Sequence, residues 1–352
     1  MKLASVTVTS SRASIIGDAI RSVVDQVDMV IIIDLGITDD TVEVARSVAG
    51  DKVVVSKYPG GGQFSDMRNF GLTEAHRLGA DWAVILDTDE RINWNGVPIR
   101  DVLSQAGDGI GLVEFLEGTY SKEKFVSLPA KDFWNGTDVH ECIIPTNSKQ
   151  FLVQGMTFDE LEKPHDVMRG KLEYLLNHLQ GMCDEDKDNP RWHYYLGDTL
   201  AGLGRKEEAI KAFDKCASMR GWDEESAWAC FRMAILLQEQ GRYQDALDIC
   251  CCGLSRYPAA AELCWLAGEM ALRLGNFDHA IYWGRMAVAN GVNSGTSHLI
   301  KPRVGFKYPY GTKEGPYKLM QEAYNKLGMH DHSAKCAKVV DMLLGGSNGE
   351  NG

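Results

Sequence analysis

Residues 81–90 read Asp-Trp-Ala-Val-Ile-Leu-Asp-Thr-Asp-Glu. The apolar run from Trp82 to Leu86 stops abruptly at Asp87, Thr88, Asp89 and Glu90, the pattern of a buried strand in a parallel sheet. Ligands of such sheets sit beyond the carboxyl ends of the strands, where these carboxylates lie. In extended chain Asp87 and Asp89 point the same way, because side chains alternate between faces. Converging carboxylates repel unless a cation lies between them. Hard oxygen donors suit Mg2+ or Mn2+, ions that keep open positions for substrate phosphates. The sharp expectation is a metal–diphosphate site. The plain one is a solvated acidic turn after a core strand.

Working outward, the preceding segments alternate in kind. Strands are predicted at 5–9, 29–34 and 52–56, and helices up to about 26, at 39–48 and at 65–78. Such alternation implies a parallel sheet with right-handed crossovers. Every strand end is polar: Thr9-Ser10-Ser11-Arg12, then Asp34-Leu35-Gly36, then Pro59-Gly60-Gly61-Gly62. Thr38 is expected to cap the next helix. The glycine run is no G-x-G-x-x-G fingerprint, which disfavours a dinucleotide dehydrogenase. A further strand is expected at 110–115, and Phe133-Trp134-Asn135-Gly136 as a loop with exposed aromatics.

The ordered set IIIDLGITDDT, FSDMRNFGL and WAVILDTDE resembles the nucleotide-sugar domain of family 2 glycosyltransferases, the Rossmann-like GT-A fold. The nearest pattern is the subgroup with C-terminal tetratricopeptide repeats. The resemblance implies an inverting hexosyl transfer from a nucleoside-diphosphate sugar, with a UDP-sugar as the expected donor. Asp34 would meet the uracil or ribose, Asp66 and Arg68 would line the nucleotide pocket, and Asp87 would hold ribose or sugar. Thr7, Thr9 and Thr88 join them as donor-binding candidates, and Asp89 would ligate the metal. Two departures stand out: Thr9-Ser10-Ser11 replaces the usual K-N-E, and Ile37 the serine of S-T-D.

Asp138-Val139-His140-Glu141 looks like the subgroup's I-H-E motif, and His165 like the histidine that ends the catalytic domain. An inverting transfer needs a carboxylate to take the acceptor's proton, and Glu141 or Asp138 could do so. His140 or His165 could complete a metal shell beside Asp89. Glu90 is base or structural, and Glu90 and Trp134 are acceptor-side candidates.

From residue 166 the texture is helical. Leu172, Leu175, Leu176 and Leu179 form the stripe of a linking helix. The pattern Leu-Gly-Arg-Lys-Glu-Glu-Ala at Leu203 recurs around Gly241, Gly275 and Gly328. Spacings of 37 residues (Gly204 to Gly241) and 34 residues (Gly241 to Gly275) match the tetratricopeptide period. An insertion near 290–312 carries Lys301, Arg303, Tyr308 and Tyr310, read as an acceptor clamp, as a single-stranded nucleic-acid binder through stacking, or as a long loop packed by its own aromatics. The expected organisation is therefore a GT-A domain at 1–165, repeats at 166–344 and a disordered tail at 345–352.

The 352 residues are 44% hydrophobic and 24% charged, ordinary for a globular chain, and long enough for more than one core. Net charge is −12, which disfavours a nucleic-acid backbone as main partner. The nine cysteines include no C-x-x-C pair and read as packing residues of a reduced, cytoplasmic protein. No apolar run reaches the length of a membrane span. The acceptor is open among saccharide, peptide or protein, and modified nucleobase, and the repeats could form a homodimer. The rivals are a catalytically inactive repeat scaffold and a nucleotidyltransferase.

Overall fold

The computed structural model describes residues 1–118, 120–137, 140–162, 165–219, 221–293 and 308–345, with the backbone alone at Thr137, His140, Val292 and Asn293. Asp138, Lys301, Arg303 and the tail beyond Gly345 lie outside the described residues. The chain divides into two compact units, Met1–Lys163 and Pro164–Gly352.

The first unit opens with β1 (Leu3–Thr9), α1 (Ala13–Arg21), β2 (Met29–Asp34), α2 (Thr41–Ala49), β3 (Val53–Lys57), α3 (Phe64–Arg77) and β4 (Trp82–Ile85). It continues with β5 (Glu90–Asn93), α4 (Ile99–Ala106), β6 (Ile110–Phe115), β7 (Ser121–Ser127), β8 (Trp134–Thr137), β9 (His140–Ile143) and β10 (Gln150–Glu160). One sheet of eight strands runs β3-β2-β1-β4-β7-β6-β10-β5, and β8-β9 form a separate pair. The first four strands are mutually parallel, whereas β7 lies antiparallel to both β4 and β6. The result is an α/β sheet, mostly parallel, with its order reversing between β1 and β4.

Alternation of side chains explains why both faces are covered. Val30 and Ile32 of β2 pack with Ile16, Ile20 and Ala45 of α1 and α2. Ile31 and Ile33 pack with Leu72 and Ala75 of α3 on the opposite face. Thr38 does not cap α2. That helix follows Asp40, and the Thr38 hydroxyl meets that of Ser11 at 3.0 Å.

The second unit begins with α5 (His165–Glu185) and then forms helix pairs. They are α6 (Pro190–Gly202) with α7 (Lys206–Ser218), α8 (Asp223–Glu239) with α9 (Tyr243–Arg256), and α10 (Ala261–Arg273) with α11 (Phe277–Asn293). After α12 (Pro309–Thr312) comes a further pair, α13 (Gly315–Lys326) with α14 (His330–Gly345). Within each pair the turn carries the repeated glycine: Gly204, Gly241, Gly275 and Gly328 all have φ between 72° and 79°. Glycine reaches that left-handed region without steric cost, which ends one helix and frees the chain to reverse.

Small residues let the paired helices touch. A Cβ added at Gly197 in α6 would stand 2.7 Å from Cδ1 of Phe213 in α7. Gly197→Ala is therefore expected to cost about 1–3 kcal/mol by overpacking. Gly181→Ala, where nothing lies within 4 Å on α5, should stabilise by roughly 0.5–1 kcal/mol through helix propensity. Denaturant melts followed by circular dichroism check both. Equal effects would show that this contact does not matter.

Candidate functional site

β4 delivers its chain end where the sheet order reverses, the crevice in which open α/β sheets bind ligands. There Asp87-Thr88-Asp89-Glu90 makes a tight turn. The Glu90 N–H donates to the Asp87 carbonyl at 3.1 Å, and the Asp87 N–H donates to Oε2 of Glu90 at 2.9 Å. Glu90 is fully buried and ion-paired to Lys124, itself 2% exposed, and to Lys122 at 3.0 Å. Lys122 also pairs with Glu160 at 2.5 Å. Lys124 and Lys122 further lie 4.6 and 5.4 Å from the Phe158 ring. Burial holds the pKa of Lys124 below the usual lysine range although Glu90 and Asp87 oppose the shift. Glu90 is thus a post under the turn, and the acceptor-side reading of it gives way: no face of it is open to a substrate.

Above the turn, α3 supplies Arg68. Its Nη1 and Nη2 donate to the two Asp87 oxygens at 2.9 and 3.0 Å, and its Nε donates to Glu141 at 3.1 Å. The guanidinium lies 4.8 Å from the Phe64 ring centroid and 5.7 Å from that of Trp134. Burial would raise the pKa of Asp87, but the Arg68 charge overrides it and holds the carboxyl well below the usual range. For Arg68, burial works against the charge and Asp87 and Glu141 outweigh it, so its pKa rises. Next along α3, Asn69 clamps β8: its Nδ2 donates to the Trp134 carbonyl and its Oδ1 accepts the Trp134 N–H, both at 2.8 Å. One Arg-Asn pair therefore ties a strand end and a hairpin together.

Trp134 departs from its sequence reading. It lies in a strand and is 6% exposed, because its ring sits against the hydrophobic face of α3, while Phe133 beside it is 48% exposed. The acceptor role expected of Trp134 does not suit a buried ring. Thr7 is 1% exposed inside β1, so its hydroxyl is sealed from any donor. Thr9 donates to the Ser10 carbonyl at 2.9 Å.

The remaining donor candidates shape backbone. Asp34 accepts the Gly36 and Ile37 N–H groups at 2.7 and 2.6 Å, fixing the loop after β2. Asp66 accepts the Gln63 N–H at 2.8 Å in a capping box at the start of α3. Gly60, Gly61 and Gly62 before it have φ of 96°, 78° and 84°, so the loop takes a path that other residues would strain. The Thr88 carbonyl accepts from Arg91 at 2.9 Å.

Of the expected metal ligands, Asp89 lies half-buried on the turn, where its charge acts on Arg91. His165 is exposed at the start of α5 in the second unit. Among the described residues no group of three or more His, Cys, Asp and Glu is placed to hold a metal. Arg68 occupies both Asp87 oxygens, which leaves Asp89 as the hard donor of the D-x-D pair. That set suits an ion drawing most ligands from phosphate and water, as Mg2+ does, and not a closed protein cage.

Sequence reasoning missed Lys122, Lys124 and Glu160. Their signal was faint: Lys122-Glu123-Lys124 looks like a solvated charged strand until β7 is known to lie between β4 and β6.

In the second unit Tyr308 and Tyr310 pack on their own repeats. The Tyr308 ring lies 5.5 Å from Trp265 and 5.8 Å from Phe231, and Tyr310 lies 5.4 Å from Trp265. The Tyr308 N–H donates to the buried Glu262 at 3.2 Å. Both rings thus pack on aromatics of α8 and α10 and not on an acceptor, while residues 294–307 of the insertion lie outside the described residues. Among the described residues no helix is long and apolar enough to cross a membrane.

No curated protein matches the chain. Among solved structures, a MamA double mutant labelled RS-1 is similar at 20% identity and a TM-score of 0.42, covering 52% of this chain and 91% of that one. A second MamA crystal structure stands at 17% identity and 0.41, covering 53% and 98%. MamA from Desulfovibrio magneticus RS-1, residue 41 to its end, stands at 20% and 0.41, covering 52% and 90%. Tetratricopeptide repeat signatures match residues 193–221 and 231–293, so the helical pairs of the second unit include tetratricopeptide repeats.

Proposed function

We propose that the chain joins a repeat unit that binds a protein partner or acceptor to a sugar-nucleotide-dependent glycosyl transfer site in the first unit. The repeat matches support the first half. The second half rests on one observation: Arg68 gathers Asp87 and Glu141 beyond the carboxyl end of β4, where the sheet order reverses. The ordered motifs carrying the glycosyltransferase resemblance converge on that end of the sheet.

In this reading Asp34 and the glycine loop shape the nucleotide's seat. Arg68 fixes the Asp87 carboxylate toward ribose or sugar, and the Glu90–Lys124 pair fixes the turn from below. A Mg2+ or Mn2+ held by Asp89 would stabilise charge on the departing diphosphate. A second reading, a repeat scaffold without catalysis, is supported by the repeat matches and by the full engagement of Asp87 with Arg68.

A thermal-shift screen of UDP- and GDP-sugars, each with and without Mn2+, separates them. A donor at roughly 100 times its Kd adds about 2.7 kcal/mol to the unit that binds it. The transfer reading expects stabilisation that needs both metal and one sugar nucleotide, and that Asp89→Asn abolishes. Cooperative melting with no shift for any donor would leave the scaffold.

A further inference from the structure

We propose that the first helices of the repeat pairs form a seat for an extended protein segment bearing an aromatic side chain, and that Tyr308 of the chain itself fills this seat as an internal stand-in. The inference rests on the repeat half of the reading above and takes nothing from the transfer half. Each turn glycine is preceded, ten positions earlier, by a residue of a first helix: Tyr194 on α6, Phe231 on α8, Trp265 on α10 and Lys318 on α13. Equivalent positions of stacked repeats fall in one row. Three successive repeats therefore place an aromatic ring in that row, and the next pair places an ammonium there.

A residue that belongs to no repeat helix meets this row. The Tyr308 ring lies between two of its members, 5.8 Å from Phe231 and 5.5 Å from Trp265, with ring planes inclined at 46° and 35°. The Tyr308 backbone is extended, with φ of −131° and ψ of 90°, and its N–H donates to Oε1 of Glu262 at 3.2 Å. Glu262 stands three residues before Trp265 on α10, so carboxylate and ring share one side of that helix. The glutamate is 1% exposed, and a carboxylate so enclosed is costly unless it accepts hydrogen bonds. One of its donors comes from outside the repeat helices. The seat thus offers a cleft between two rings and, beside it, an acceptor for a main-chain N–H.

The resident segment is held unequally along its length. Gly311 is buried, and a Cβ there would stand 3.1 Å from Cε3 of Trp265, so α12 is built into the fold at that point. Tyr310 meets Trp265 edge-on at 5.4 Å, with the Lys318 ammonium 5.2 Å from its own ring centroid. Tyr308 keeps 38% of its surface exposed although its ring touches two others. A tyrosine anchored by ring faces and one main-chain N–H, and open on its outer side, is held as a peptide side chain is held at an interface. Ring and N–H are the features read, so phenylalanine serves in place of tyrosine and alanine does not.

The test offers the chain's own sequence in trans to the full-length protein. The probe is the peptide acetyl-Tyr-Pro-Tyr-Gly-Thr-Lys-amide, whose acetyl group gives the first tyrosine an amide N–H. Tyr308→Gly, which removes the resident ring, is expected to bind it about ten-fold more tightly than wild type, the factor for a seat that is filled roughly nine-tenths of the time. Alanine in place of the peptide's first tyrosine should weaken that binding by about ten-fold or more, and phenylalanine should not. Tyr308→Gly/Glu262→Ala should lose the gain, with circular dichroism establishing that each variant is folded. Hydrogen exchange on wild type keeps the test independent of any variant's folding: the Tyr308 amide should exchange faster as peptide is added. Equal affinity of wild type and Tyr308→Gly, equal affinity for the tyrosine and alanine peptides, or a Tyr308 amide indifferent to peptide would each overturn the proposal. Sedimentation should show a monomer; a dimer that Tyr308→Gly dissociates would place a second copy's tyrosine in the seat and overturn the internal stand-in. Those results strike this seat alone, while the donor screen above judges the transfer half independently.

Discussion

Arg68→Ala is expected to destabilise the first unit by about 3 kcal/mol, the lower end of the cost of removing one partner from a buried ion pair. Arg68 is 10% exposed, and the Asp87 and Glu141 side chains it joins are 26% and 18% exposed. Without it, two carboxylates share a poorly solvated space with no cation between them. At roughly 2–4 °C per kcal/mol for a unit of this size, the melting transition should fall by about 6–12 °C. Arg68→Lys keeps the charge but loses the planar fork that grips both Asp87 oxygens, and should lie between. Calorimetry on the full chain, with hydrogen exchange to assign the transition to the first unit, measures the loss.

The same cluster sets a pH dependence. Asp87 has a folded-state pKa below its unfolded value, so its contribution to stability is fully present above the ordinary carboxylate range. It is lost as pH falls through that range toward the depressed folded value. The gap between wild type and Arg68→Ala should accordingly narrow on acidification. A constant gap would mean that the pair adds packing and no charge stabilisation.

The scaffold of the site was legible because local chemistry specifies it. The run Met29–Ile33 is continuously apolar and becomes β2 with Asp34 at its end, since strands covered on both sides read as near-continuous hydrophobic runs. The repeat glycines were legible because a turn between paired helices needs a left-handed residue at a fixed spacing. The underside of the site was not. Lys122 and Lys124 meet Glu90 more than thirty positions away in sequence, through a strand inserted antiparallel beside β4. Trp134 was misread for a related reason: an aromatic beside Asn and Gly suggests a loop, yet Asn69 on α3 supplies the hydrogen bonds that hold it in a strand. Long-range partners decided both residues, and no periodicity announces such partners.

The Glu90–Lys124 pair carries the other large effect. Lys124→Met keeps side-chain length and apolar contact with Phe158 but leaves Glu90 fully buried with only Lys122 and the Asp87 N–H. A loss of about 3–5 kcal/mol is expected, because removing one partner of a buried ion pair leaves Glu90 with a single, partly exposed lysine. Glu90→Gln should also be costly, since it strands the Lys124 ammonium in the same apolar space. The double variant Glu90→Gln/Lys124→Met removes both charges while the glutamine still accepts the Asp87 N–H. It should therefore be less destabilised than the sum of the singles by about 0.5–3 kcal/mol. Lys122 keeps Glu160 as a partner in every case, so the cycle isolates the inner pair. Additive losses would show that the two charges are solvated independently. Singles that each cost under about 1 kcal/mol would show that the turn needs no post, and Glu90 would return as a group free for chemistry.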